Sequence, residues 1–420
     1  MKIAFHPKLL DCLPTYNRAQ FGKDLASGIT VGVLALPLAM AFAIASGCSP
    51  AAGIWTAIVA GFITSACGGS RVQIGGPTGA FIPIIYGIVA MHGFANLMGA
   101  TMLAGIFLLA MGIARMGQLI RFIPVTVVIG FTNGIAVVIF LAQLKDFFGL
   151  QIDNLPAEFF ARIKTLAANA HTVDLPTLAL ATACFVLLLS YNRLAQRFAL
   201  LRRAPGPLVV LIVGTLAAFV FDLPVETIGS RFNGIPQELP NFGFPSVSVH
   251  DFGKLISPAI TIALLGAIES LLSARVADSQ IDDRHDPNQE LIAQGLSNIA
   301  APLFGGFAAT GAIARTTTNV KTGGRTPIAG IIHAVVLLGV VLIAAPLASY
   351  VPLATLSAIV MVVAVNMGEW HEFMELRRFS YNYRIILLVT FFVTVVFDLT
   401  IAVELGMVLA SLFFIYRMSE

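Results

Sequence analysis

From Leu25 to Ala45 the sequence runs without a single Asp, Glu, Lys or Arg, and stretches of this kind recur almost to its end. An apolar segment of about 20 residues is long enough to cross a bilayer as a helix. Spans are predicted near 25–45, 51–67, 75–91, 94–114, 121–143, 174–192, 206–221, 255–276, 289–303, 311–322, 326–347, 352–366, 383–397 and 401–416. Fourteen helices of this length use about 280 residues, which the 420-residue chain accommodates with room for loops. Only 11% of the residues are charged, against roughly a quarter in a soluble domain. The chain reads as an all-α polytopic membrane protein. Its net charge of +3 points to no nucleic-acid partner. Cys12, Cys48, Cys67 and Cys184 lack metal or disulfide spacing.

The basic residues sort by side. With the N-terminus inside, 19 Lys and Arg fall on the cytoplasmic face, while Lys145, Arg162, Lys164, Arg231 and Lys254 fall outside. That asymmetry predicts that both termini are cytoplasmic. No cleavable signal peptide is visible, and the first apolar run reads as the first span. Segment 146–173 reads as an external loop with an interfacial helix, and 222–254, rich in proline, as a second external connection dividing two apolar halves.

Those halves echo each other weakly. Cys67-Gly68-Gly69-Ser70 can be laid on Phe304-Gly305-Gly306-Phe307, an offset that also sets Thr78 on Arg315; Phe122-Ile123-Pro124-Val125 resembles Tyr350-Val351-Pro352-Leu353. Seven spans per half would make the halves antiparallel, an arrangement recurrent in transporters. In each half a stretch able to extend (71–74 and 307–310) precedes a new helix. Irregular backbone at membrane depth is tolerated only where it is buried in protein or lines a cavity. Two helices starting there aim their free N–H groups and positive dipole ends at a common point, which favours an anion.

Two ionisable residues stand out at membrane depth. Arg315, in Ala312-Ile-Ala-Arg, lies at the first turn of the tenth span. A charge there needs a partner or an anionic substrate, and its planar fork suits carboxylate, sulfate or bicarbonate. A permanent ion pair with Glu269 is the structural alternative. Glu269 is the carboxylate well inside the eighth span, with Ser273 one turn onward on the same face, and it is expected to load and release a coupling ion. Gln294 and Asn298 are expected to bond neighbouring helices, and Asp398 and Glu404 to be structural. The acidic stretch 282–286 reads as a hydrated loop. No Walker A motif, nucleophile elbow or H-E-x-x-H is present, so neither an ATP-driven pump nor an enzyme is expected, and no cofactor or metal is implied.

The stretches Asp24-Leu-Ala-Ser-Gly-Ile-Thr-Val-Gly, Leu36-Pro-Leu-Ala-Met-Ala-Phe-Ala, Gly75-Gly-Pro-Thr-Gly-Ala, Gly266-Ala-Ile-Glu-Ser-Leu-Leu, Gln294-Gly-Leu-Ser-Asn and Ala312-Ile-Ala-Arg together resemble the SulP anion transporters, relatives of solute carrier family 26, over essentially the whole chain. Within that family the Gly266–Leu272 and Ala312–Arg315 patterns are most similar to those of a bacterial dicarboxylic acid transporter. The resemblance implies a seven-plus-seven inverted repeat of the uracil-transporter kind. It divides the chain into a cytoplasmic N-terminus (1–24), a core domain (25–117 and 255–347), a gate domain (118–222 and 348–420) and an external connection (223–254).

The resemblance also implies a substrate site formed by Phe42, Thr78, Gly79, Ala312, Ile313, Ala314 and Arg315, with a coupling site at Glu269 and Ser273. Sodium-coupled members tend to carry Asp and Thr at the last two positions, so the glutamate favours a proton. Alanines at 312 and 314, where relatives have hydroxyls, shift substrate contacts towards backbone N–H groups. The family usually adds a cytoplasmic STAS domain after the last span, whereas this sequence stops at Arg417-Met-Ser-Glu420, so no such domain is expected to contribute to a homodimer. The expected function is proton-coupled uptake of a C4-dicarboxylate. The alternatives are a sodium-coupled bicarbonate or sulfate transporter and a passive anion channel.

Overall fold

The computed structural model describes residues 5–118, 124–197, 204–237, 239–240, 242–246, 252–397, 405 and 408. In chain order the helices are α1 (Lys8–Cys12), α2 (Arg18–Ala45), α3 (Pro50–Cys67), α4 (Ile82–Ile113), α5 (Val125–Phe148), α6 (Phe159–Ala168), α7 (Leu175–Arg197), α8 (Gly206–Val220), α9 (Ile228–Phe232), α10 (Phe252–Ile281), α11 (Pro287–Leu303), α12 (Ile313–Lys321), α13 (Ile328–Ala348), α14 (Leu353–Met367), α15 (Trp370–Met374) and α16 (Tyr381–Val396). Two short strands, β1 (Gly75–Gly76) and β2 (Thr310–Gly311), pair antiparallel.

Six helices are long and apolar enough to cross a membrane by themselves, and four shorter apolar helices accompany them. Thirteen of the fourteen expected spans have a counterpart among the described residues. The third and fourth share α4, which breaks at Gly93 (φ 80°, ψ 169°) at the boundary expected between them. The span expected at 401–416 lies outside the described residues, apart from helical positions at Leu405 and Val408. Arg121, Arg202, Arg203, Asp398, Glu404, Arg417 and Phe122-Ile123 also lie outside them.

Helix pairing repeats between the halves. In one direction α4 packs on α10 and α11; in the other α13 packs on α2 and α3. Likewise α5 meets α14 and α16, and α7 meets α14. The β1–β2 pair lies where the halves cross, and its antiparallel register is the local form of their inversion. The fold is the all-α seven-plus-seven inverted repeat, with thirteen of its spans among the described residues.

The Asp24–Gly32 motif is largely a packing device. A Cβ at Gly28 would fall 2.6 Å from the Ala329 carbonyl oxygen, and one at Gly32 would fall 2.8 Å from Val336 Cγ1. Small residues four apart thus let α2 and α13 approach closely. Ahead of them, buried Asp24 accepts hydrogen bonds from Tyr16 Oη (3.2 Å), Gln20 Nε2 (3.1 Å), the Arg325 amide (3.0 Å) and Thr326 Oγ1 (2.6 Å). This carboxylate fixes the start of α2 to the turn between α12 and α13. Gly28→Val is expected to cost about 2 kcal/mol or more, since a backbone oxygen cannot move aside. Thermal unfolding in detergent reads this as a clear drop in melting temperature; an unchanged value would mean the helices can separate freely.

Segment 146–173 packs part of its length inward through Leu150, Ile152, Leu155 and Leu166, and it also buries a charge. Arg162 on α6 is buried, donating to the carbonyls of Pro156 (2.9 Å), Ala157 (3.1 Å) and Val138 (3.4 Å), and its guanidinium lies 5.5 Å from the centre of the Tyr86 ring. Loop carbonyls and an aromatic face compensate its desolvation. Sequence position alone cannot show this.

Candidate functional site

The strand crossing is held by side chains that satisfy backbone groups no helix can satisfy. The Ile74 amide donates to Thr316 Oγ1 (3.1 Å) and its carbonyl accepts from the Ala312 amide (2.8 Å). The Gly311 amide donates to Ser270 Oγ (3.0 Å), and the Phe307 amide to Thr56 Oγ1 (2.8 Å). Asn298 clamps Ala309 at both ends, donating to its carbonyl and accepting from its amide, each at 2.9 Å. Asn319 Nδ2 reaches the Val72 carbonyl at 2.8 Å. Each strand is therefore anchored by helices of both halves.

The glycine pair at 68–69 has a different purpose. A Cβ at Gly69 would sit 2.1 Å from the Asp286 carbonyl oxygen, so the pair admits the start of α11. The Gly69 amide then donates to Glu290 Oε2 (3.0 Å).

After the strands two helices begin in opposite directions. Residues Gly79–Phe81 form a 3-10 turn leading into α4, with Thr78 as its N-cap. Helix α12 starts at Ile313 with Ala312 as N-cap. Its nine residues span about 13 Å, half a bilayer. First-turn N–H groups of both have no intrahelical acceptor. Ala312 is buried, whereas Ile313 and Ala314 are exposed beside it. A Cβ at Gly79 would be 3.9 Å from Phe42 Cε1, 3.8 Å from Ile139 Cδ1 and 3.7 Å from Met367 Sδ. Phe42 is thus brought to Gly79 as the resemblance implies. Ile139 on α5 and Met367 on α14 join it, and no sequence signal distinguished these two from ordinary apolar residues.

Arg315 is 1% exposed. Its Nη2 donates to the Pro77 carbonyl (2.7 Å), whereas Nη1 has no partner. The side chain runs back along β1, and a Cβ at Gly76 would fall 2.3 Å from Nη1. That contact, together with a φ of 150°, explains glycine at position 76. No carboxylate among the described residues forms a salt bridge with Arg315. The alternative of a permanent ion pair with Glu269 is therefore not met. Thr78 Oγ1 is a second buried polar atom with no partner at this crossing.

Glu269 is 9% exposed, and among the described residues nothing hydrogen-bonds its carboxyl. The flanking turns of α10 touch the site directly. Ser270 Oγ lies 2.7 Å from Thr310 Oγ1, and Ser273 Oγ donates to Thr316 Oγ1 (3.3 Å). Ser273 thus ties α10 to α12. A second buried carboxylate, Glu290, accepts from Gln73 Nε2 (2.9 Å) and Gln294 Nε2 (3.0 Å) as well as from Gly69. Its place at the start of a span, beside the acidic loop, gave no sign in the sequence that it would be buried. Gln294 bonds within its own helix, and Asn298 bonds its own helix and the extended stretch before β2, rather than the neighbouring helix expected of both.

A many-span inverted repeat with two facing helix starts and an uncompensated arginine between them defines a membrane transporter for anions. The chain belongs to the sulfate permease family, whose model matches residues 21–390. It is 45% identical over 406 residues to the putative sulfate transporter YvdB of Bacillus subtilis, covering 96% of this chain and 76% of that protein. It is 33% identical over 415 residues to the bicarbonate transporter BicA of Picosynechococcus, covering 94% and 70%. Among solved structures, the transmembrane domain of a cyanobacterial BicA superposes with a TM-score of 0.83 at 30% identity, covering 94% of this chain and 98% of that one. Murine Slc26a9 in its inward-facing state shares the fold, with a TM-score of 0.89 at 20% identity, covering 98% and 71%. The protein is accordingly a multi-pass anion transporter and not an enzyme.

Proposed function

We propose that the protein is a secondary active transporter of the bacterial inner membrane that moves a small oxyanion by alternating access. The observation carrying this reading is Arg315. It is a buried cation with no counter-charge among the described residues, set at the crossing from which two helices begin. Such a group is costly unless an anion completes it for part of the cycle.

The substrate sits beside Phe42, Thr78 and Gly79 on one side and Ala312, Ile313 and Ala314 on the other. It is held mainly by backbone N–H groups and attracted by Arg315. Residues 25–117 and 255–347 move as a core against a gate of 118–222 and 348–420. Gate residues Ile139 and Met367 close on Gly79. Both termini face the cytoplasm, a reading supported by the 19-to-5 split of basic residues.

Bicarbonate or sulfate is the substrate class we infer, supported by the names of the relatives at 45% and 33% identity. A C4-dicarboxylate is the second reading, favoured by the Gly266–Leu272 and Ala312–Arg315 patterns. Coupling is to a proton at Glu269, with sodium the alternative. A single carboxyl with no basic partner suits proton loading.

Proteoliposomes loaded with purified protein test this with labelled sulfate, bicarbonate and fumarate under imposed proton or sodium gradients. Accumulation of sulfate or bicarbonate against its gradient, driven by protons, is expected. Equilibration without accumulation would make the protein a passive channel. Accumulation of fumarate alone would establish the dicarboxylate reading instead.

A further inference from the structure

His333 on α13 is fully buried; the Gly330 backbone one turn earlier lies close enough to act on the ring, but neither ring nitrogen makes a well-formed hydrogen bond. A buried imidazole contributes a donor and an acceptor whose desolvation is unfavourable unless something meets them. Its surroundings show what that is. The ring lies against Gly61 of α3: a Cβ there would be 3.1 Å from Cε1 and 3.2 Å from Nδ1, and 3.4 Å from the Gly75 carbonyl oxygen. One turn earlier on the same helix, Ala57 lies 3.4 Å from the Cβ position of Gly76, the same position that meets Arg315 Nη1 at 2.3 Å.

His333 and Arg315 therefore border successive turns of α3 beside β1. Arg315 Nη1 and the imidazole are thus two buried polar groups with unmet hydrogen-bonding capacity, set against neighbouring turns of α3 beside β1.

We propose that one enclosed water behind β1 joins Arg315 Nη1 to His333, and that His333 is a positioning residue for the anion site. A neutral imidazole accepts from the water, the water accepts from the guanidinium, and the arginine is held with Nη2 on the Pro77 carbonyl. This fixes where its charge lies relative to Thr78 and Gly79. Gly61 is small because the ring needs the space. The inference rests on the reading of Arg315 as the charge that attracts substrate.

His333→Leu and His333→Gln distinguish this from simple packing. Leucine fills the space without an acceptor, whereas glutamine supplies one. Uptake of labelled sulfate and bicarbonate by proteoliposomes is expected to show an apparent KM about tenfold higher for the leucine variant, with kcat within about twofold of wild type. Glutamine should bring KM back to within about threefold. The reverse ranking, or two wild-type profiles, would overturn the proposal.

If both variants misfold, high-resolution cryo-electron microscopy of the wild type decides: density for a water between the two side chains supports the inference, and an empty space refutes it. Arg315→Ala in the same assay keeps the failures apart. Its having no effect would defeat the reading of the anion site itself. Its having a strong effect while His333→Leu has none would defeat only the bridge.

Discussion

Replacing Arg315 by alanine is expected to lower the kcat/KM of anion uptake by about a hundredfold without lowering the melting temperature. The two halves of this result have one cause. The guanidinium is 1% exposed and holds a single hydrogen bond, from Nη2 to Pro77, with Nη1 unmet by any side chain or carbonyl among the described residues. A buried cation in that condition does not stabilise the fold, and its removal relieves a desolvation penalty of several kcal/mol. With an anion present the balance reverses. The charge then offsets the desolvation of the substrate, and its loss costs about 3 kcal/mol, roughly two orders of magnitude. Uptake kinetics and thermal unfolding of one preparation measure both. Unchanged affinity and rate would remove Arg315 from the site. A large fall in melting temperature would mean its contact with Pro77 is chiefly structural.

The same residue shows how far sequence reasoning reaches. Eleven per cent charge and periodic apolar runs were enough for the order and approximate placement of the thirteen spans described, because a bilayer leaves few alternatives for a chain with so little polar surface. Gly75-Gly76-Pro77 and Arg315 were visible as anomalies against that background, since glycine and charge are conspicuous where leucine is the norm. Their mutual geometry was not. Gly76 is small because Arg315 lies against it, a contact 239 positions apart that no local pattern encodes. Glu290 and Asp24 stand near the ends of their helices, where a carboxylate is normally solvated. Burial by the Gly69 amide in one case and by the α12–α13 turn in the other is a tertiary fact. Met367 and Ile139 are apolar residues among many and become informative only through their approach to Gly79.

Glu269→Gln tests the remaining half of the mechanism and is expected to separate movement from coupling. Glutamine keeps the size of the side chain and removes its exchangeable proton. No other side chain among the described residues is bonded to this carboxyl, so the amide breaks no ion pair and the fold should tolerate it. What changes is the link between proton binding and the anion site. That link runs through α10 itself, because Ser270 holds the Gly311 amide and Ser273 bonds Thr316 on α12. A charge appearing or disappearing at Glu269 lies next to the first of these contacts and one turn before the second, and biases the strand and helix start against which the anion rests. One pH unit across the membrane stores about 1.4 kcal/mol per proton, a tenfold accumulation ratio for one-to-one symport. Wild-type protein in proteoliposomes should approach that ratio under such a gradient, whereas Glu269→Gln should fall to about one while still exchanging labelled for unlabelled anion. Retained proton-driven accumulation would place the coupling group elsewhere. Loss of exchange together with accumulation would show that the carboxyl is needed for the movement itself, because a coupling group alone can be removed without stopping an exchanger that carries substrate in both directions.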